Sequence, residues 1–217
     1  MGSILNKKFF ILVLLLALAS FADVMPYYVD SLNGNLIGFC KVESPLNIRQ
    51  EPSESSPVAE TIDFDYNNNL KCNFNKCSLE KVFSAYSKKN KVAMLSTVDE
   101  TEGWVKVCYN EVNPFCGWIK EDENNKFYNW RDFYGVLGKK YGLYPFKNID
   151  KRDKILYSSN KYDSNSTGKM LLPKIIFPWL VSGNWILVKA HEYDSSVKTG
   201  WINFRDENGK LKYFVKF

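Results

Sequence analysis

From Gly38 onward the apolar positions come in short bursts separated by turn residues, the pattern of an all-β chain. Leu46-Asn47-Ile48-Arg49 alternates apolar and polar, as a half-buried strand does, and Gln50 to Pro57 is turn chemistry throughout. Val92 to Leu95 is a short apolar run. Trp104 to Tyr109 predicts a strand with Val105, Val107 and Tyr109 on one face and Trp104, Lys106 and Cys108 on the other. Asn110 to Pro114 turns the chain, and Phe115 to Lys120 returns. After Pro145 the pattern resumes. Lys154 to Tyr157 is strand-like, Ser158 to Gly168 is a turn-rich loop, and Met170 to Leu172 and Ile175 to Phe177 flank Pro173. Trp185 to Val188 and Thr199 to Ile202 are further strands, and Asn208-Gly209 is a tight-turn dipeptide.

Three stretches depart from this pattern. Residues 63–91 are polar and Asn-rich, with room for a brief helix over Leu79 to Tyr86, and predict a surface excursion. Trp130, Phe133, Tyr134 and Leu137 follow the i, i+3, i+4, i+7 spacing of an amphipathic helix, with Asn129 as N-cap and Gly138 or Gly142 as stop. A connector helix packed through its rings is the expectation. At the N-terminus, Lys7-Lys8, an apolar run from Phe9 to Ala19 and the small-x-small triplet Ser20-Phe21-Ala22 form a secretory signal peptide, cleaved after Ala22. Phe9 to Ala22 is too short for the roughly 20 apolar residues a membrane span needs. The lead-in from Asp23 to Gly38 carries Pro26 and Gly34, which argue against a helix.

Removing Lys7 and Lys8 lowers the formal net charge from +5 to +3, well short of a nucleic-acid footprint. Export implies an oxidising compartment, periplasmic or extracellular, in which nearby cysteines bridge. The five cysteines are Cys40, Cys72, Cys77, Cys108 and Cys116. Cys108–Cys116 flanks the hairpin and Cys72–Cys77 lies in the polar loop, each contributing on the order of 2–3 kcal/mol. Cys40 is left as a buried thiol or an intermolecular link.

An internal repeat emerges when the two halves are laid together. Glu102-Gly103-Trp104-Val105-Lys106-Val107 followed by Cys116-Gly117-Trp118-Ile119 matches Ser182-Gly183-Asn184-Trp185-Ile186-Leu187-Val188 followed by Thr199-Gly200-Trp201-Ile202. The residues of the first copy resemble the bacterial SH3 domain, which opens with an L-N-V-R-x-x-P-S-like strand and turn and continues through G-W-x-x-V and G-W-[VI] strands. Leu46 to Ser53, Gly103 to Val107 and Gly117 to Ile119 match those stations. The second copy keeps the two Trp stations and lacks the Asn-Ile-Arg element. The resemblance implies two small SH3-like barrels in tandem: residues 36–122 with the insertion at 63–91, a helical connector over 123–150, and residues 151–217. Gly117 and Gly200, each just before a returning Trp, permit the bulge or sharp coiling that a small barrel needs to close.

The resemblance also implies a surface groove that receives cell-wall peptides or protein segments. Trp104, Tyr109, Trp118, Trp185 and Trp201 are its candidate ligand-binding residues. Trp104 and Trp185 point away from the core if Val105, Val107, Ile186 and Val188 face inward; burial against the helix, the lead-in or the other barrel is the competing expectation. Catalysis would have to run through a single histidine, His191, which reads as an exposed turn residue. Phosphate-loop, EF-hand and zinc patterns are absent, so no enzyme activity, metal or cofactor is expected. Lys88-Lys89 and Lys139-Lys140 read as solvated faces. Asp163-Ser164-Asn165-Ser166-Thr167 contains an N-x-S/T acceptor sequence with Asn165 as the glycosylation candidate. The resulting expectation is an exported, non-catalytic binding protein engaging peptidoglycan or an envelope protein, with no nucleic-acid partner and no membrane span after cleavage. A structural assembly protein and an unrecognised wall hydrolase are the alternatives.

Overall fold

The computed structural model describes residues 35–74, 77–109, 114–146 and 149–217. The expected signal peptide, most of the lead-in and residues 110–113 of the expected turn lie outside the described residues. Within them the chain is predominantly β, as expected, and forms two antiparallel sheets.

The first sheet contains β1 (Gly38–Lys41), β2 (Leu46–Arg49), β3 (Val58–Phe64), β4 (Leu70–Lys71), β5 (Ala85–Ser87), β6 (Val92–Thr101), β7 (Trp104–Tyr109), β8 (Phe115–Lys120) and β9 (Lys126–Asn129). Its path is β4-β3-β2-β8-β7-β6-β1-β9, with β5 also on β6. The second contains β10 (Leu143–Pro145), β11 (Ile155–Tyr157), β12 (Ser166–Lys169), β13 (Pro173–Ser182), β14 (Trp185–Glu192), β15 (Val197–Asn203) and β16 (Tyr213–Val215), in the order β12-β11-β15-β14-β13-β10-β16. Neither path closes into a ring of hydrogen-bonded strands among the described residues.

The two orders are the same order. Setting β4 and β5 aside, β3-β2-β8-β7-β6-β1-β9 maps strand for strand onto the second path. The repeat read from two Trp stations is therefore a duplication of a seven-strand topology. Its register is duplicated too. Arg49 of β2 pairs with Trp118 of β8, and Tyr157 of β11 pairs with Trp201 of β15. The β6–β7 hairpin carries a bulge between Thr97 and Asp99; the β13–β14 hairpin carries one between Pro178 and Leu180.

The glycine before each returning Trp is required by close approach. A Cβ on Gly117 would sit 2.5 Å from Ile48 Cγ2 and 2.8 Å from the Arg49 carbonyl oxygen. A Cβ on Gly200 would sit 2.8 Å from Leu156 Cβ and 3.1 Å from the Tyr157 carbonyl oxygen. In both copies, then, the missing side chain lets β8 or β15 press against the opening strand.

The inner faces bury Val105, Val107, Ile119, Leu46 and Ile48 in the first copy and Ile186, Val188, Ala190, Ile202 and Leu156 in the second. The 63–91 segment contributes to the first core instead of lying wholly on the surface. Phe64, Val82 and Phe83 are buried there, and the Cys72–Cys77 disulfide packs beside them. Its helix α1 (Leu79–Val82) is shorter than the sequence suggests. Ser84 donates its N–H to the Met94 carbonyl, so the chain leaves the helix to pair with β6. Cys108–Cys116 joins directly paired residues of β7 and β8. Cys40 is a buried free thiol; burial pushes its pKa far up, with Glu121 and Asp122 adding to the effect, which leaves the thiolate scarce.

Between the sheets runs helix α2, residues 130–141: Trp130–Asp132, a π-wound middle Phe133–Gly138, and Lys139–Tyr141. The Asn129 side chain caps it by accepting from the Asp132 N–H, and Gly142 ends it at a φ of +81°. Phe133, Tyr134 and Leu137 are buried, as their spacing predicts. They are buried between both sheets. Phe133 lies 4.8 Å from Phe39 of β1 and 5.1 Å from Phe214 of β16, while Phe39 and Phe214 meet edge to face at 5.2 Å. Tyr134 donates its hydroxyl to the Tyr213 carbonyl. β1 and the first half of β6 are consequently buried on both faces. Cys40, Ala93 and Leu95 face the first core; Phe39, Val92 and Met94 face the helix and the second sheet. The two copies thus share one aromatic core across α2.

Candidate functional site

The duplicated register allows the two outer faces to be compared position by position. On the first copy one cross-strand row reads Asp99–Lys106–Trp118–Arg49. The Lys106 ammonium sits 5.7 Å from the centroid of the Trp118 ring. The serine-rich turn folds toward this face, where Glu54 meets Lys120 at 2.7 Å and Arg49 at 3.6 Å. The hydrogen bond and charge of Lys120 hold the Glu54 carboxyl below its ordinary pKa. Trp118 ends up buried. Trp104 is half-buried, opposite Thr101 and Lys120. Tyr109 lies on the opposite face, in the core with Val105 and Val107 and against the Phe74 ring at 5.9 Å, so it is not part of a groove.

On the second copy the equivalent row reads Leu180–Leu187–Trp201–Tyr157. The row beside it is Phe177–Lys189–Thr199, and the next is Ile175–His191–Val197. Ile186 and Val188 face inward, so the outward orientation expected of Trp185 follows from the pleat. Trp185 and Trp201 are both half-buried. The Trp185 ring is flanked by Tyr157 at 5.6 Å and Tyr162 at 4.8 Å, both edge to face. Trp201 pairs with Leu187, which stands where the first copy has Lys106, the residue whose ammonium covers Trp118.

Along the junction of this face with α2 runs an open groove of about 620 Å³, lined by Lys139, Phe177, Pro178, Trp179, Leu180 and Leu187. Trp179 is the bulged residue of β13, and it and Leu180 remain 58% and 53% exposed. Gly138 fixes the helix against this strand: a Cβ there would lie 2.9 Å from the Pro178 ring. Of the groove residues, sequence reasoning reached Phe177, Leu187 and Lys139, each in another role. The signal for the rest was present in the repeat. Once Trp185 is aligned with Trp104, Leu187 falls where Lys106 stands and Leu180 where Asp99 stands, an exchange of charge for apolar surface at fixed positions.

His191 is not in a turn. It is a half-buried residue of β14, on the outer face, with its ring 6.0 Å from Phe177. Among the described residues no group of three or more His, Cys, Asp or Glu side chains is arranged to hold a metal. Asn165 is exposed immediately before β12, with its carbonyl accepting from the Ser158 N–H. The hydroxyl of Thr167, the third residue of that sequence, lies within hydrogen-bonding distance of the Leu156 and Thr199 carbonyls.

Comparison with known proteins leaves the site to be read from its own chemistry: no family model, no curated protein and no solved structure matches the chain. Two disulfides fit an oxidising compartment. No helix among the described residues is long and apolar enough to cross a membrane.

Proposed function

We propose that this is an exported, non-catalytic binding protein built from two divergent copies of a bacterial SH3-type unit, and that the second copy receives the ligand, a segment of peptidoglycan or of an envelope protein. The observation that carries this reading is the difference between equivalent rows. Where the first copy has Asp99, Lys106 and a covered Trp118, the second offers Leu180, Leu187 and a half-open Trp201. A half-buried Trp flanked by aliphatic side chains on a rigid sheet is a ready anchor for an extended partner. The barrel assignment draws its support from the opening strand, which pairs with the returning Gly-Trp strand in both copies.

Co-sedimentation of the chain from Asp23 onward with purified cell-wall sacculi tests the proposal. Saturable pelleting is expected, weakened at least tenfold by Trp201→Ala, with the circular dichroism of the variant unchanged. Failure to pellet, with no envelope protein recovered by crosslinking in cells, would remove the binding reading. A Trp201→Ala variant that unfolds would make the ring part of the core.

A further inference from the structure

The groove at the α2–β13–β14 junction is apolar on its floor and basic at its margins. Phe177, Leu180 and Leu187 come from paired positions of two strands, and Trp179 rises beside them on the bulge. Lys139 lines the helix side. Lys189 lies on the sheet side, directly opposite Phe177 and next to Thr199. Neither lysine has an acidic partner among the described residues. The three outer-face rows of β13, β14 and β15 contain no acidic residue. On the first copy the outer-face cations Lys120 and Arg49, at the positions of Asn203 and Tyr157 in the second, are met by the Glu54 carboxylate from within the chain.

We propose that this groove is a binding site for an extended, acidic-apolar segment of a partner protein, with its aliphatic side chains on Phe177, Leu180 and Leu187 and its carboxylates at Lys139 and Lys189. The inference rests on the second copy being the ligand-receiving one, and it specifies the ligand. Charge complementarity selects the occupant: an open apolar groove with Lys139 on its helix side and Lys189 on its sheet side suits a segment that carries both aliphatic side chains and carboxylates. Extended backbone suits the spacing, since the rows from Phe177 to Leu180 and from Lys189 to Leu187 run along strands.

The test is fluorescence anisotropy of a labelled Glu-Leu-Val-Leu-Glu peptide titrated with the chain from Asp23 onward. Binding should be saturable and weaken at least tenfold when both Glu are replaced by Gln. It should also weaken at least tenfold in Lys139→Glu, an exposed helix position whose substitution leaves the fold intact by circular dichroism. Equal binding of the Gln peptide would overturn the role of charge. Binding to vesicles containing phosphatidylglycerol, with none to the peptide, would make the surface a lipid site and overturn the proposal. If the peptide fails while sacculi still pellet and Trp201→Ala still weakens pelleting, this site assignment falls and the broader binding reading stands.

Discussion

The hairpins β6–β7 and β13–β14 share their partners, their register and the place of their bulge, yet one presents Asp99 and Lys106 to solvent and the other Leu180 and Leu187. Backbone geometry is therefore not what distinguishes the copies. A duplicated scaffold has been finished twice with different side chains on the same rows. The first face is sealed by charge, with Lys106 over Trp118 and Glu54 between two cations. The second is left with a half-open ring and an apolar groove. The stabilising devices differ as well. The first copy carries both disulfides. The second relies on buried polar networks. The Lys212 ammonium reaches Asp153 at 2.8 Å, Asn203 at 2.8 Å and the Tyr162 hydroxyl at 2.9 Å, and the Glu192 carboxylate accepts from the Leu171 and Leu172 N–H groups.

The comparison breaks first if the copies are separated. Each copy would be expected to fold alone if the chain were two beads on a linker. The shared core argues otherwise, because Phe133, Tyr134 and Leu137 of α2 are covered by residues from both sheets. Stripping those side chains of their partners costs on the order of 1.5–3 kcal/mol apiece, enough to exhaust a small unit's stability. Fragment 151–217 is expected to lack near-ultraviolet circular dichroism and any cooperative transition, while the chain from Asp23 unfolds in one step with Trp118 and Trp201 reporting together. A fragment that unfolds cooperatively at the full chain's midpoint would show the copies to be independent.

A smaller loss is expected at Lys212. Replacing it with Met leaves the Asp153 carboxylate, only 9% exposed, without its cation. Breaking a buried pair on one side costs about 3–5 kcal/mol. Burial alone would lower the Lys212 pKa, but the hydrogen bonds to Asp153 and Tyr162 outweigh it and raise the pKa overall. A raised cationic pKa gives stability that is full below the unfolded value of about 10.4 and disappears as pH climbs through the folded value. The stability gap between wild type and Lys212→Met in urea titrations should therefore be constant from pH 7 to about 10 and shrink above it. A constant gap at pH 11 would mean that the ion pair contributes little.

How much of this was legible in the sequence varies with the kind of signal. The central strands of each copy followed from alternation and from the paired Gly-Trp stations, and α2 from the spacing of four rings and aliphatic side chains. Both disulfides followed from proximity along the chain. What was illegible depended on partners far away in sequence. β1, β9, β10 and β16 are three or four residues long, carry no clean alternation, and exist because they pair with strands far along the chain, β1 with β6 and β9, and β10 with β13 and β16. Val92 to Leu95 reads as a plain apolar run because both of its faces are covered, which no local pattern can reveal. Tyr109 shared a face with Val105 and Val107 in the sequence, and that alternation already placed it in the core.

The smallest effect on stability should come from the substitution that bears most on the comparison. Leu187→Lys gives the second copy the side chain that its twin has at Lys106. The new ammonium can lie over the Trp201 ring, an interaction worth about 0.5–1 kcal/mol at such sites. That offsets part of the apolar packing removed with the leucine, and an outer-face exchange of this kind falls within about 0.5 kcal/mol overall. The urea midpoint should barely move. Binding is another matter, because the lysine replaces the groove's floor between Leu180 and Trp201 and adds a charge that the ligand's aliphatic side chains must desolvate. A variant with unchanged stability and at least tenfold weaker association would separate scaffold from site and show the row itself to be the specificity element. A variant that binds as well as wild type would mean that the two faces, for all their difference in charge, are equivalent in use.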